Sequence, residues 1–313
     1  MPLLVGNSIV VPGSSELQPV WSEDFGSITA TWTDPEGTVW PLSNISPETG
    51  WFTTERIGGW GARPYTFTTD PLPRGGVSVR FIRPEPAIIT WPLHIYSDDS
   101  HVEFLQRYRA IRRAFMMTVH RNLTGTLTVQ RPDGSSRVID CYYEDGFKGE
   151  PGEMWRSANP VLTLMAPDGY WRDPIPVTVV RKQETGVDFL AGLPAVSSSQ
   201  VLGATTVFNP GDVQAWPSWV ITGPATSLTA VSNTTGYSFT LTYTLTAGQQ
   251  ATIQTLTPQV RGPAGQNLVG NLNFPSAFLW PLQPGNNAVT FTVAGSGAGT
   301  QIELDFNPRY EGA

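Results

Sequence analysis

From Tyr237 to Leu245 the chain alternates without a break. Tyr237, Phe239, Leu241, Tyr243 and Leu245 are apolar, and Ser238, Thr240, Thr242 and Thr244 between them are polar. A period of two predicts a strand with one buried face, and Asn233-Thr234-Thr235-Gly236 supplies the turn before it. Residues 288–293 and 301–306 repeat the alternation, and 176–182 reads as another strand. Strands at short intervals with turn signals between them predict an antiparallel sandwich. The Gly/Ala/Ser-rich stretch at about 186–203 reads as a loop or connector.

The first half carries the same signal in shorter pieces. Residues 28–32 alternate, Asp34-Pro35-Glu36-Gly37 turns, and 38–40 returns, which predicts a hairpin. Residues 77–82 have apolar odd positions, so a strand with one buried face is expected there. Residues 125–130 and 137–142 flank the turn Pro132-Asp133-Gly134, a second hairpin, and 161–165 is a further strand.

A helix is predicted at about 100–116. Ser100 with Glu103 three residues on forms a capping box, and Asp98 and Asp99 sit favourably at the positive end of the helix dipole. Val102, Leu105, Tyr108, Ile111 and Phe115 recur every three or four residues as an apolar stripe, with Arg107, Arg109, Arg112 and Arg113 largely off it. The fold class expected is therefore mainly β: a barrel- or sandwich-like first domain with one helix, residues 1–172, then a β-sandwich, residues 173–313. The two meet at Ala166-Pro167-Asp168-Gly169-Tyr170-Trp171, where Tyr170 and Trp171 are expected to pack between domains.

Composition supports this picture and removes several functions. With 313 residues, two domains of ordinary size are expected. Charged residues make up only 14%, and Gly 31 and Pro 28 are spread along the chain, as many short strands require. A net charge of −7 argues against a phosphate-binding surface, and no sequence-specific nucleic-acid readout is expected. There are 17 Arg against two Lys, Lys148 and Lys182, a bias that suits interfaces and also follows from GC-rich coding. Cys141 is alone and reads as a buried strand residue, so no intrachain disulfide is expected. The start lacks a secretory pattern and no run approaches a membrane span, so a soluble protein made in a cytoplasm is expected.

Candidate chemistry is sparse. His94, His101 and His120 have no metal-ligand spacing; no nucleophile elbow or phosphate loop occurs; neither a metal nor a cofactor is expected. The carboxylate pair Asp98/Asp99 is explained by the helix start and Glu144/Asp145 by a turn, so catalysis is not expected. Trp216, Trp219 and Trp280 lie next to a proline or one residue from it in the sandwich, as sugar-stacking platforms on one reading and core or interface plugs on the other. The sequons at Asn44, Asn122 and Asn233 are expected to be chance.

Thr33-Asp34-Pro35-Glu36-Gly37-Thr38, residues 80–95 leading into the capped helix, 125–129, 131–134 and the junction 166–171 follow one another in an order that is itself informative. Through these motifs the chain resembles the distal tail proteins of long-tailed, siphovirus-type bacteriophages, particularly those of actinobacteria. The resemblance continues through Phe208-Asn209-Pro210-Gly211-Asp212, Ile221-Thr222-Gly223-Pro224-Ala225 and residues 280–287. Gly169 departs from the proline common before the Tyr-Trp pair, and the region of Trp40, Trp51 and Trp60 is longer than in compact members. The resemblance implies a structural component of the virion's tail tip, without enzymatic activity. It would form a ring of identical copies, expected to be a hexamer, joining the tail tube to the baseplate, hub or receptor-binding proteins, with the tape-measure protein as a neighbour. The first domain would form the ring, with Arg107, Arg109, Arg112 and Arg113 as candidate interface residues, and a galectin-like sandwich would project outward. The alternative is a carbohydrate-binding or host-adhesion protein working on cell-wall sugars through that sandwich.

Overall fold

The computed structural model describes residues 28–43, 49–54, 57–149, 156–183 and 203–313. The expected connector lies outside them except for Gly203, as does Asn44. The fold is mainly β, with one α-helix among the described residues and several antiparallel sheets, one of them curled.

The first sheet contains β1 (Thr29–Thr33), β2 (Val39–Pro41) and β3 (Trp51–Thr53). A separate hairpin follows, β4 (Tyr65–Pro71) and β5 (Val77–Pro84), before the long β6 (Ala87–Tyr96). After α1 (His101–Arg121) come β7 (Gly125–Gln130), β8 (Ser136–Asp145), β9 (Ser157–Ala158), β10 (Val161–Ala166) and β11 (Trp171–Arg172). The strand order is β2-β1-β7-β8-β10-β6-β3, with β9 beside β6 and β11 beside β8. Both expected hairpins form, with Trp32 opposite Trp40 and Leu127 opposite Ile139.

Helix α1 lies against β6 and β8, and between them sits the first core. Trp32 is fully buried there, stacked on Phe115 at 4.5 Å, and its indole N–H donates to the carbonyl of Ala114 at 3.3 Å. Such a stack seats a large apolar area and satisfies its one polar atom. Cys141 is buried in the same core, and desolvation pushes its thiol pKa well up, so it remains a neutral packing residue.

The helix runs five residues beyond the expected end, to a left-handed Asn122 cap at φ 52°. The expected stripe holds at Tyr108, Ile111 and Phe115, with Leu105 partly buried against the first core; Phe104, Ala114, Met117 and Thr118 widen it, whereas Val102 is 64% exposed. The start is half a capping box. The Ser100 hydroxyl accepts from the Glu103 N–H at 3.1 Å, but the Glu103 carboxylate accepts from the Ser97 hydroxyl at 2.8 Å rather than reaching back to Ser100. Hydrogen bonding to Ser97 holds the Glu103 carboxyl below its ordinary range. Ser100→Ala is expected to cost about 1 kcal/mol, measured by urea denaturation.

The second core lies between two sheets. One has the order β12 (Val177–Lys182), β20 (Gln301–Phe306), β14 (Ser218–Thr222), β17 (Gln250–Gln254) and β18 (Gln259–Arg261). The other has β13 (Ala204–Asn209), β19 (Gly285–Ala294), β15 (Ala225–Ser232) and β16 (Ser238–Leu245). In β16 the alternation read from the sequence buries Phe239 and Leu241 against this core. The chain then leaves the second core, and β21 (Arg309–Tyr310) pairs with β11, placing Tyr310 opposite Trp171. The first sheet thus holds the last strand as well as the earliest described one.

One expectation fails instructively. Strand β5 forms where the alternation placed it, but neither of its faces is buried. Among the described residues it pairs only with β4, and none of their layers lies over the pair.

Candidate functional surfaces

The junction becomes a polar seam between the two cores. Trp171 belongs to the first core, fully buried and edge-on to Trp60 at 6.5 Å. Tyr170, beside it, takes the guanidinium of Arg63 over its ring at 3.3 Å and that of Arg309 at 4.3 Å. Arg63 donates to the Asp168 carbonyl, Arg309 forms an ion pair with the Asp168 carboxylate, and Arg309 also donates to the Gln214 carbonyl at 3.3 Å. Both arginines are nearly buried, which their planar, weakly hydrated heads tolerate when stacked and hydrogen-bonded. Gly169 sits at φ 70°, a backbone region that proline with its fixed φ cannot enter. At Gly211 the constraint is contact: a Cβ would stand 2.4 Å from the carbonyl oxygen of Arg309.

The seam continues to the end of the chain. The Tyr65 hydroxyl at the hairpin base donates to Glu311 at 2.7 Å, which raises the tyrosine pKa to about 12. Ala313 donates its N–H to the Trp60 carbonyl at 2.9 Å, and Arg131 donates to the Ala313 carbonyl. Arg309→Met is expected to lower stability by about 1–2 kcal/mol, since Asp168 is half exposed and rehydrates when its partner is gone. Thermal unfolding should show the lower midpoint.

Of the three tryptophans proposed as contacts, two are internal. Trp219 and Trp280 are fully buried and edge-on to each other at 5.3 Å, with Phe239 and Phe291 also around Trp219. An indole enclosed this way offers no face to a sugar or a partner, so both are core plugs. Trp216 is half-buried and lines two adjoining grooves. One, of about 620 Å³, is the seam groove with Asp168, Tyr170, Asp212 and Arg309; the other, of about 350 Å³, is apolar with Leu256, Phe274 and Phe278. Arg63, Arg309 and Leu256 had no local signal in the sequence, because each acts only through partners far along the chain.

The helix arginines do not act as one group. Arg107 pairs with Glu103 at 2.6 Å and donates to the Tyr96 carbonyl at 3.0 Å, so it fastens the helix to β6. Arg109, Arg112 and Arg113 are exposed, and with Met116, Met117, His120 and Arg121 they line a shallow groove of about 460 Å³. Among the described residues, no three His, Cys, Asp or Glu side chains gather as a metal site, and no helix is long and apolar enough to cross a membrane.

The β4–β5 hairpin carries an apolar face left uncovered by the described residues. Its register sets Phe67 opposite Ile82, Thr69 opposite Val79 and Pro71 opposite Val77, so these side chains share one face with Tyr65. Phe67, Val77, Val79 and Ile82 are each about half exposed. A two-stranded ribbon with nothing over its apolar face is marginal in water.

Comparison with known proteins gives a match over part of the chain. Residues 210–310 match the family model described as the siphovirus-type tail component, C-terminal domain. That match covers about a third of the chain and lies mostly within the second core. No curated protein matches the chain in sequence. The fold of the chain is similar to the Dit protein of phage SPP1, described as a paradigm of the hub adsorption apparatus in phages infecting Gram-positive hosts. That likeness has a TM-score of 0.62 at 13% identity over 91% of this chain and 99% of that one. A chain of the phage P2 baseplate in its activated conformation is also similar. Its calcium form gives a TM-score of 0.55 and its strontium form 0.56, each at 12% identity over 92% of this chain and 100% of that one. At such identities the likeness establishes the fold, and its coverage extends over both cores of the chain.

Proposed function

We propose that this chain is a distal tail protein of a siphovirus-type phage. Copies of it close into a ring, a hexamer, that joins the tail tube to the baseplate, hub or receptor-binding proteins beside the tape-measure protein. On this reading it is made in the host cytoplasm, incorporated at the tail tip, and has a structural rather than catalytic role. Residues 1–172 build the ring and 173–313 form the outward domain. The observation that carries the reading is the uncovered apolar face of β4–β5, which a neighbouring copy would bury. A closed ring has heterologous interfaces, and a projecting arm received by the next copy is one way to make them.

Antibodies raised against the purified chain test the placement. Gold label at the tail tip in electron micrographs of virions is the expected result; label along the tail shaft or on the capsid would refute it. A role in holding host sugars rests on Trp216 alone, at the meeting of the two grooves. Calorimetry with cell-wall polysaccharide fragments, comparing wild type with Trp216→Ala, tests that second reading; no heat of binding with wild type removes it.

A further inference from the structure

Helix α1 carries exposed charge of opposite sign towards its two ends. At the start the Arg156 guanidinium donates to the Asp98 carbonyl at 3.1 Å, which leaves the Asp98 carboxylate without an ion pair among the described residues. Arg109, Arg112 and Arg113 make no ion pair or hydrogen bond among the described residues, whereas Arg107 is held by Glu103 and Arg121 by Glu36. At the opposite end Asp98 and Asp99 are exposed, and neither carboxylate has a salt-bridge partner among the described residues. From Asp99 to Arg112 is thirteen residues, about 20 Å along a helix. That is more than twice the Debye length of about 8 Å in physiological salt, so the two groups do not neutralise each other within one copy.

A heterologous interface needs two different surfaces that complement each other. This helix presents such a pair: anionic where it begins, cationic in its second half. A rotation about the ring axis that sets neighbouring helices side by side, offset along their length, brings the cations of the first to the anions of the second. Met116 and Met117 give the cationic groove an adaptable apolar floor, and arginine is the cation that interfaces favour.

We propose that in the ring Arg109, Arg112 and Arg113 of one copy face Asp98 and Asp99 of the next. This rests on the ring reading above and specifies one of its contacts.

The test uses the full chain at low salt, with native mass spectrometry and light scattering across a concentration series. R112E/R113E should move ring formation to concentrations about tenfold higher or more, as loss of complementary charge does. D98K/D99K should do the same. The quadruple variant, in which both surfaces are reversed, should assemble within about threefold of wild type. Circular dichroism and the thermal midpoint check that each variant folds; for any that does not, D98N/D99N and R112Q/R113Q replace the reversals, and non-additive weakening in the combined variant is then the supporting result. Rings as stable in R112E/R113E as in wild type would overturn the pairing and leave the ring reading standing. Weakening in both double variants without recovery in the quadruple one would overturn the assignment of Asp98 and Asp99 as the counterpart. A wild-type chain that never assembles would remove the ring reading and this inference together.

Discussion

Trp219→Ala is expected to destabilise the second core by about 4 kcal/mol. The indole is fully buried, and Phe239, Trp280 and Phe291 all meet it edge-on with ring centroids 5.3–5.7 Å away. Removing it deletes the hub of an aromatic cluster held by both sheets, and the rigid neighbours cannot collapse into the space. Against a total stability of about 5–15 kcal/mol for a typical protein, that loss is large. It should lower the unfolding midpoint of this region by about 10 °C or more. Trp219→Phe should cost much less: it keeps most of the apolar contact and removes an indole N–H that has no partner in the core. Trp216→Ala serves as the contrast, since that half-buried ring lines grooves and should cost about 1 kcal/mol. Scanning calorimetry of the three variants checks the order. A Trp219→Ala protein as stable as Trp216→Ala would show that the ring is not enclosed as described.

The second large effect is on assembly rather than stability. The double variant F67D/V79D places two carboxylates on the uncovered face of the β4–β5 hairpin. Both side chains are about half exposed in the single chain, so the folded protomer should keep its unfolding free energy within about 0.5 kcal/mol of wild type. If the next copy covers this face, each carboxylate is buried without a partner there, at several kcal/mol apiece. Assembly should then fall by several orders of magnitude while the monomer remains folded. Sedimentation velocity on both proteins reads this directly, and undiminished assembly in the variant would exclude the hairpin from the interface.

How far the sequence foretold these features depended on the range over which each is determined. Strand β16 was legible because its alternation is strict and local, and both hairpins of the first sheet because Asp-Gly and Pro-Glu-Gly turns fix their return. The helix start was legible through Ser100, but its end was not. Thr118 and Val119 weaken helix propensity, yet burial of Met117 and Thr118 against the first core carries the helix on to Arg121. Alternation in β5 announced an apolar face and was silent on what would cover it, since covering is a property of other elements or other chains. Trp216, Trp219 and Trp280 look alike in local sequence; only the packing of two sheets separates two core residues from one at a groove. The seam was legible as a composition change, while its working parts, Arg63 and Arg309, lie 107 and 139 residues from Tyr170 and become partners only after folding.

On the proposed reading, the uncovered hairpin face and the charged helix belong to a closed ring of identical copies. Native mass spectrometry of the purified full chain, with negative-stain images of the same sample, decides this. A closed ring is expected, with a mass that is an integral multiple of the 34.1 kDa protomer, six-fold for a hexamer. A particle that stays at 34.1 kDa at high protein concentration and low salt, with the hairpin face still open to solvent, would contradict it.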